Sequence, residues 1–201
     1  MNAMNRREAV IKMAALLGGS LALPRLLTST WAASEGRESH GFSGDEVALL
    51  DEIGETIIPA TDIPGAKAVG IGAFMAMMVH DCYEPKEQES FRAGLAKLSD
   101  DFRARHGRAF EEGAGEERTA FLNELDAEQR RYTAEKKGKD VPEEKAAASP
   151  EHHFRMMKDL TVLGYFSSEI GCTQALRYLE TPGRYDGNMP YQKGDKAWYS
   201  L

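Results

Sequence analysis

Glu169 has the setting in which a carboxylate does acid or base chemistry. Between Asp159 and Arg177 it is the only charge, inside Gly164-Tyr165-Phe166-Ser167-Ser168-Glu169-Ile170-Gly171. Apolar surroundings shift a carboxylate toward a catalytically useful pKa. They equally call for a structural partner, because buried charges are rarely left alone. Structural pairing or an interface role is the expectation. His152 and His153 are neighbours, so on a helix they point to different faces and do not easily share a metal. His80 stands beside Asp81 and Cys82, with no second ligand pair spaced to join them. Each histidine is therefore expected at the surface or in a supporting role. There is no phosphate-cradling glycine loop, nucleophile elbow or dinucleotide fingerprint. The expectation is that this chain holds no catalytic, cofactor-binding or metal residue of its own.

The element carrying Glu169 is the longest in the reading. Ser149 serves as cap and Pro150 as first helical residue. Nothing breaks the pattern up to Leu179, which predicts a helix roughly 40 Å long. Met156, Leu160, Leu163 and Ile170 form one apolar stripe; Phe154, Met157, Thr161, Tyr165, Ser168, Cys172 and Ala175 form another. A helix apolar on two sides runs through a domain or is sandwiched between the domain and a partner. Gly164, Ser168 and Cys172, at steps of four, allow a backbone to approach closely.

Upstream, Phe42-Ser43-Gly44-Asp45-Glu46-Val47 has capping-box spacing and a hydrophobic staple. The helix that follows carries Val47, Leu50, Ile53, Ile57 and Ile58, and Pro59 stops it. Ile71 to Tyr83 reads as a methionine-rich helix. Glu87 to His106 reads as an amphipathic one, with Phe91, Leu95, Leu98 and Phe102 on a stripe. Glu116 to Leu125 gives a short helix, and residues 127–149 a charged, solvated loop. No segment alternates as a strand does, so the fold class is all-α, in one helical domain over residues 33–181.

Arg6 and Arg7 precede the apolar run Met13 to Leu23, which is about half the ~20 residues that span a bilayer. With the small residues of Thr30-Trp31-Ala32, this reads as a twin-arginine export signal over residues 1–32, cleaved after Ala32. Cleavage removes Arg6, Arg7, Lys12, Arg25 and Glu8, so the net charge of −7 becomes −10. An acidic protein is a poor ligand for nucleic acid or for anionic lipid. In an oxidising compartment Cys82 and Cys172 either form a disulfide that closes a long loop or pack unpaired as small hydrophobes.

Residues 182–201 form an extended tail in which Tyr185, Tyr191, Tyr199 and Trp198 lie among glycines and prolines. Tyr, Trp and Arg dominate interface hot spots. Such a tail either wraps its own domain or lies on another protein. The expected partner contacts are Gly164, Tyr165, Ser168 and Glu169 on the helix, with Arg184, Tyr185, Tyr191 and Trp198 on the tail.

The run Phe154-Arg155-Met156-Met157-Lys158-Asp159-Leu160-Thr161 into Gly164–Gly171 resembles the gluconate 2-dehydrogenase subunit 3 family. So do Pro182-Gly183-Arg184-Tyr185-Asp186-Gly187 and Lys193-Gly194-Asp195-Lys196-Ala197-Trp198. Leu50-Asp51-Glu52-Ile53, the segment Ile57 to Ala66 and Asp81-Cys82-Tyr83 are similar to that family's amino-terminal half. The resemblance implies a non-catalytic small subunit of a periplasmic sugar or sugar-acid dehydrogenase. It implies a large FAD-bearing partner of the glucose-methanol-choline type, in some complexes a membrane-bound cytochrome c with its haem. It also implies that the small subunit is folding partner and export escort, presenting the loaded flavoprotein to the twin-arginine translocase. Two other classes remain open: a stand-alone periplasmic ligand-binding helical protein, and a small enzyme using Glu169 and a histidine.

Overall fold

Ser43 starts the first helix as its sequence requires. Its hydroxyl accepts from the Glu46 amide at 3.1 Å, and the Glu46 carboxylate accepts from the Ser43 amide at 2.6 Å. In this computed structural model, which describes residues 40–136, 151–181, 183 and 187–199, that helix is α1, Gly44–Ile57. A 3-10 turn, Ala66–Val69, leads into α2, Ile71–Cys82, and then α3, Pro85–His106. A second 3-10 turn, Phe110–Glu112, precedes α4, Gly115–Lys136; α5 is His153–Ser167, followed by a π turn, Gly171–Ala175. Among the described residues there is no strand, so the all-α reading holds, and no helix is long and apolar enough to cross a membrane.

The predicted stripes supply the core. Leu50 and Ile53 of α1, Met75 and Val79 of α2, and Phe91, Leu95, Leu98 and Phe102 of α3 are fully buried. Phe102 meets Phe110 and Phe121 edge-on, with ring centroids 5.0 and 5.3 Å apart, the arrangement aromatic quadrupoles favour. α5 packs against α1, α2, α3 and α4, and its Phe154, Met156, Met157, Leu160, Thr161 and Tyr165 are buried. It is the central helix that its two apolar sides require. Where α5 crosses α3, Gly94 leaves room for His153: a Cβ there would collide with the imidazole.

Ion pairs and caps tie the helices at the rim. The Asp51 carboxylate of α1 accepts from the Gly72 amide at 2.7 Å, satisfying a free N–H in the first turn of α2. Burial raises the Asp51 pKa, and that hydrogen bond opposes the rise. Glu52 lies between Lys67 and Arg118, the latter at 2.5 Å. Its burial disfavours the charge, yet the two cations outweigh it and hold the carboxyl below its usual value.

Three features differ from the sequence reading. α4 runs to Lys136, so residues 127–136 are helical rather than loop. Asp126 pairs with Lys158 of α5 at 2.6 Å and, within α4 itself, with Arg130 at 2.6 Å, and Gln129 is buried; polar contacts take the place of an apolar stripe. The rest of the 127–149 stretch lies outside the described residues, as do Ser149 and Pro150. α5 is capped by His152, whose Nδ1 accepts from the Phe154 amide at 3.3 Å. Finally, α5 ends at Ser167 rather than continuing to Leu179.

Candidate functional site

Ser168 breaks the helix by satisfying backbone groups with its own side chain. Its hydroxyl donates to the Tyr165 carbonyl at 2.6 Å and accepts from the Gly171 amide at 3.0 Å. A serine that bonds neighbouring backbone offers the chain an alternative to the helical ladder. After the π turn, Leu176 is extended and Arg177 meets the returning tail. The Arg177 amide donates to the Ala197 carbonyl and the Tyr199 amide to the Arg177 carbonyl, both at 2.8 Å, forming a single parallel bridge between Arg177 and Trp198.

Side chains latch this hook. Arg177 Nη2 lies 3.0 Å from Asp195 Oδ1, and its guanidinium is 5.6 Å from the Trp198 ring centre, within cation–π range. Lys196 donates to the Gln174 carbonyl. The Asp195 carboxylate accepts from the Gln192 amide at 2.9 Å, closing a tight turn with Gly194 at φ +98°. That backbone hydrogen bond, with help from Arg177, holds the Asp195 carboxyl below its usual value.

Several large apolar side chains on and near the hook are uncovered. Trp198 is 48% exposed and Tyr191 76%, and Tyr178, Leu179 and Met189 are exposed as well. Val162 and Leu163 on the outer side of α5 are also exposed. Exposed aromatic and aliphatic residues of this kind mark interaction surfaces. The sequence puts Leu163 on an apolar stripe that faces either the core or a partner, and its exposure leaves the second; Val162, Tyr178, Leu179 and Met189 carry no such signal there. The signal available for the last three was their company in the Gly- and Pro-rich segment around the tail.

The residues expected at a partner interface divide into three groups. Gly164 and Tyr165 are committed to their own domain. A Cβ on Gly164 would sit 2.5 Å from Ile71 and Phe74 of α2, and Tyr165 is 3% exposed, its hydroxyl donating to the Pro64 carbonyl at 2.8 Å. Ser168 is the helix-breaking residue, half-buried. Glu169, Tyr191 and Trp198 face outward. Glu169 is thus on the surface, not in the apolar setting its neighbours predict, and no ion pair holds it among the described residues. The break at Ser168 is the reason, because it rotates the following residues out of the register of α5. Arg184, Tyr185 and the export pair Arg6 and Arg7 lie outside the described residues.

Cys82 is an exposed free thiol and Cys172 a buried one, so the bridge between them is not formed here. Cys172 donates to the Ser168 carbonyl, as an unpaired thiol packed at a helix end does. His152 and His153 stack on each other with ring centroids 4.4 Å apart. Burial, with the neighbouring His152, lowers His153 to about 4. An open groove of about 430 Å³ lies between α4 and α5, lined by Gln129, Arg130, Thr133, Ala134, Arg155, Lys158 and Asp159. Its charges are engaged: Arg155 with Asp159, and Arg130 and Lys158 with Asp126 beside the groove.

Comparison with known proteins adds one finding. A protein-family model described as gluconate 2-dehydrogenase subunit 3 matches residues 44–183, from the start of α1 to the beginning of the tail. No curated protein and no solved structure matches the chain.

Proposed function

The chain belongs to the gluconate 2-dehydrogenase subunit 3 family, and from that premise we propose that it is the non-catalytic small subunit of an exported flavin-dependent dehydrogenase. In this reading FAD sits in a large glucose-methanol-choline-type partner, which oxidises a sugar or sugar acid by hydride transfer to the flavin. Electrons then leave through an acceptor such as a membrane-bound cytochrome c. The small subunit binds the loaded flavoprotein in the cytoplasm and takes it to the twin-arginine translocase through Arg6 and Arg7; the complex then works in the periplasm.

The observation that carries the reading is the aromatic surface around the hook. Trp198, Tyr191, Tyr178, Leu179 and Met189 stand exposed on a segment fastened by Arg177 and Asp195. Fastening lowers the ordering cost that an extended segment would otherwise carry into binding. The neighbouring tail residues Arg184 and Tyr185 are assigned to the same contact.

The test is affinity capture of the tagged chain from its native host, with an absorbance scan of what accompanies it. A large second polypeptide with flavin bands is expected. Replacing Trp198 and Tyr191 together by Ala should lower its recovery by at least about tenfold, as loss of interface anchors does. Full recovery with the double variant would remove the hook from the interface. A colourless small protein recovered alone would point to a free-standing binding protein, and turnover by the purified chain alone would point to an enzyme using Glu169.

A further inference from the structure

We propose that His40, His80 and Asp81 form a surface binding site for a divalent transition-metal ion of the zinc type. His80 and Asp81 are adjacent on α2, a spacing that turns helical side chains toward different faces, yet at the last turn their ligand atoms lie 4.0 Å apart; two ligands are still insufficient by themselves. The fold adds His40, from the turn before α1, to the last turn of α2. One ligand atom from each of the three residues then lies within 4.8 Å of the others. The two imidazole rings are 5.5 Å apart, and His80 Nε2 is 4.0 Å from Asp81 Oδ1.

A tetrahedral ion with bonds of about 2.0–2.2 Å sets its ligand atoms about 3.3–3.6 Å apart. Closing from the observed spacing takes side-chain movements of about 0.5–1.5 Å. The exposed side chains of His80 and Asp81 are free to make it. Two imidazole nitrogens and one carboxylate oxygen match the preference of zinc, nickel and copper, whereas calcium and magnesium favour all-oxygen sets. Three protein ligands leave a position for water.

The two halves of the site are held by the scaffold. Arg92 of α3 donates to the His40 carbonyl at 3.1 Å and to the Gly41 carbonyl at 2.7 Å. Its guanidinium lies 3.8 Å over the ring of the buried Phe42. His40 is therefore attached to the core through its backbone, at φ +44°, a left-handed conformation in which histidine is over-represented among non-glycine residues. Gln88 of α3 donates to the His80 carbonyl at 3.1 Å and to the Tyr83 carbonyl at 2.9 Å, fixing the end of α2. A bound ion would pin the start of the domain to that end and stabilise the fold by mass action. This inference is independent of the dehydrogenase reading.

The test uses the full chain, carrying no polyhistidine tag and stripped of metal, titrated with Zn²⁺ by calorimetry and with Co²⁺ by visible absorbance. One saturable site per chain is expected, with cobalt ligand-field bands and a higher unfolding temperature on adding Zn²⁺. His40→Ala and His80→Ala should each weaken Zn²⁺ affinity by at least about tenfold, with unchanged helical circular dichroism; His152→Gln should leave affinity unchanged. Asp81→Asn supplies the same test should a histidine variant fail to fold. Absence of saturation up to about 1 mM, where binding free energy falls to about 4 kcal/mol, would overturn the proposal. So would affinity unaffected by all three ligand substitutions.

Discussion

His153 shows how one residue ties packing to pH. Its ring occupies the space beside Gly94, and burial, with the adjacent His152, holds it near 4 instead of the ordinary 6.5. The unfolded chain therefore accepts a proton below pH 6.5 that the folded domain refuses until about pH 4. Stability is full above pH 6.5 and declines as pH falls through that window. His153→Gln should flatten the decline by about 1 kcal/mol between pH 7 and pH 5, allowing for partial solvent screening. Urea midpoints at the two pH values measure this, and an unchanged slope in the variant would assign the dependence elsewhere.

At the scale of elements, the hook behaves as a latch separate from the core. Asp195→Asn weakens the pair with Arg177 without touching a buried helix. The expected outcome is severalfold faster cleavage of residues 187–199 in limited proteolysis, with the unfolding midpoint of the helical domain unchanged. A midpoint that fell with the latch would make the hook part of the core. Elements governed by apolar periodicity were legible in the sequence: the capping box of α1 and the Phe91, Leu95, Leu98 and Phe102 stripe of α3 are both present. The second half of α4 was not, because its ties are polar, Asp126 to Lys158 of α5 and, within the helix, to Gln129 and Arg130, and they leave no apolar stripe to read. The break after α5 was hidden because Ser168 fits the apolar pattern, while its effect comes from two local hydrogen bonds. That break moved Glu169 to the surface and left Gly164 and Tyr165 in the core. Of the residues expected at a partner interface, Tyr191, Trp198 and Glu169 are exposed. The convergence of His40 with His80 and Asp81 is a product of tertiary structure, which adjacency in sequence does not report.

At the scale of the whole molecule, the escort proposal makes localisation of one protein depend on residues of another. Arg6→Lys with Arg7→Lys should retain the chain and its flavoprotein partner together in the cytoplasm. Fractionation with a flavin-linked dye-reduction assay would reveal it, with periplasmic activity expected to fall about tenfold or more. Periplasmic flavoprotein activity that persisted would show that the partner reaches that compartment by its own means.

The position of α5 also governs timing. The hydroxyl of Tyr165 closes onto the Pro64 carbonyl across 101 residues, and the helix that carries it touches α1, α2, α3 and α4. During synthesis, the α1–α2 pair can associate early, since its contacts are local. The core itself lacks its central member until residues through Ser167 have left the ribosome. Nascent chains halted before that point should remain open to protease, however much helix they already contain. The domain thus closes late, leaving an interval in which a chaperone can meet the chain first.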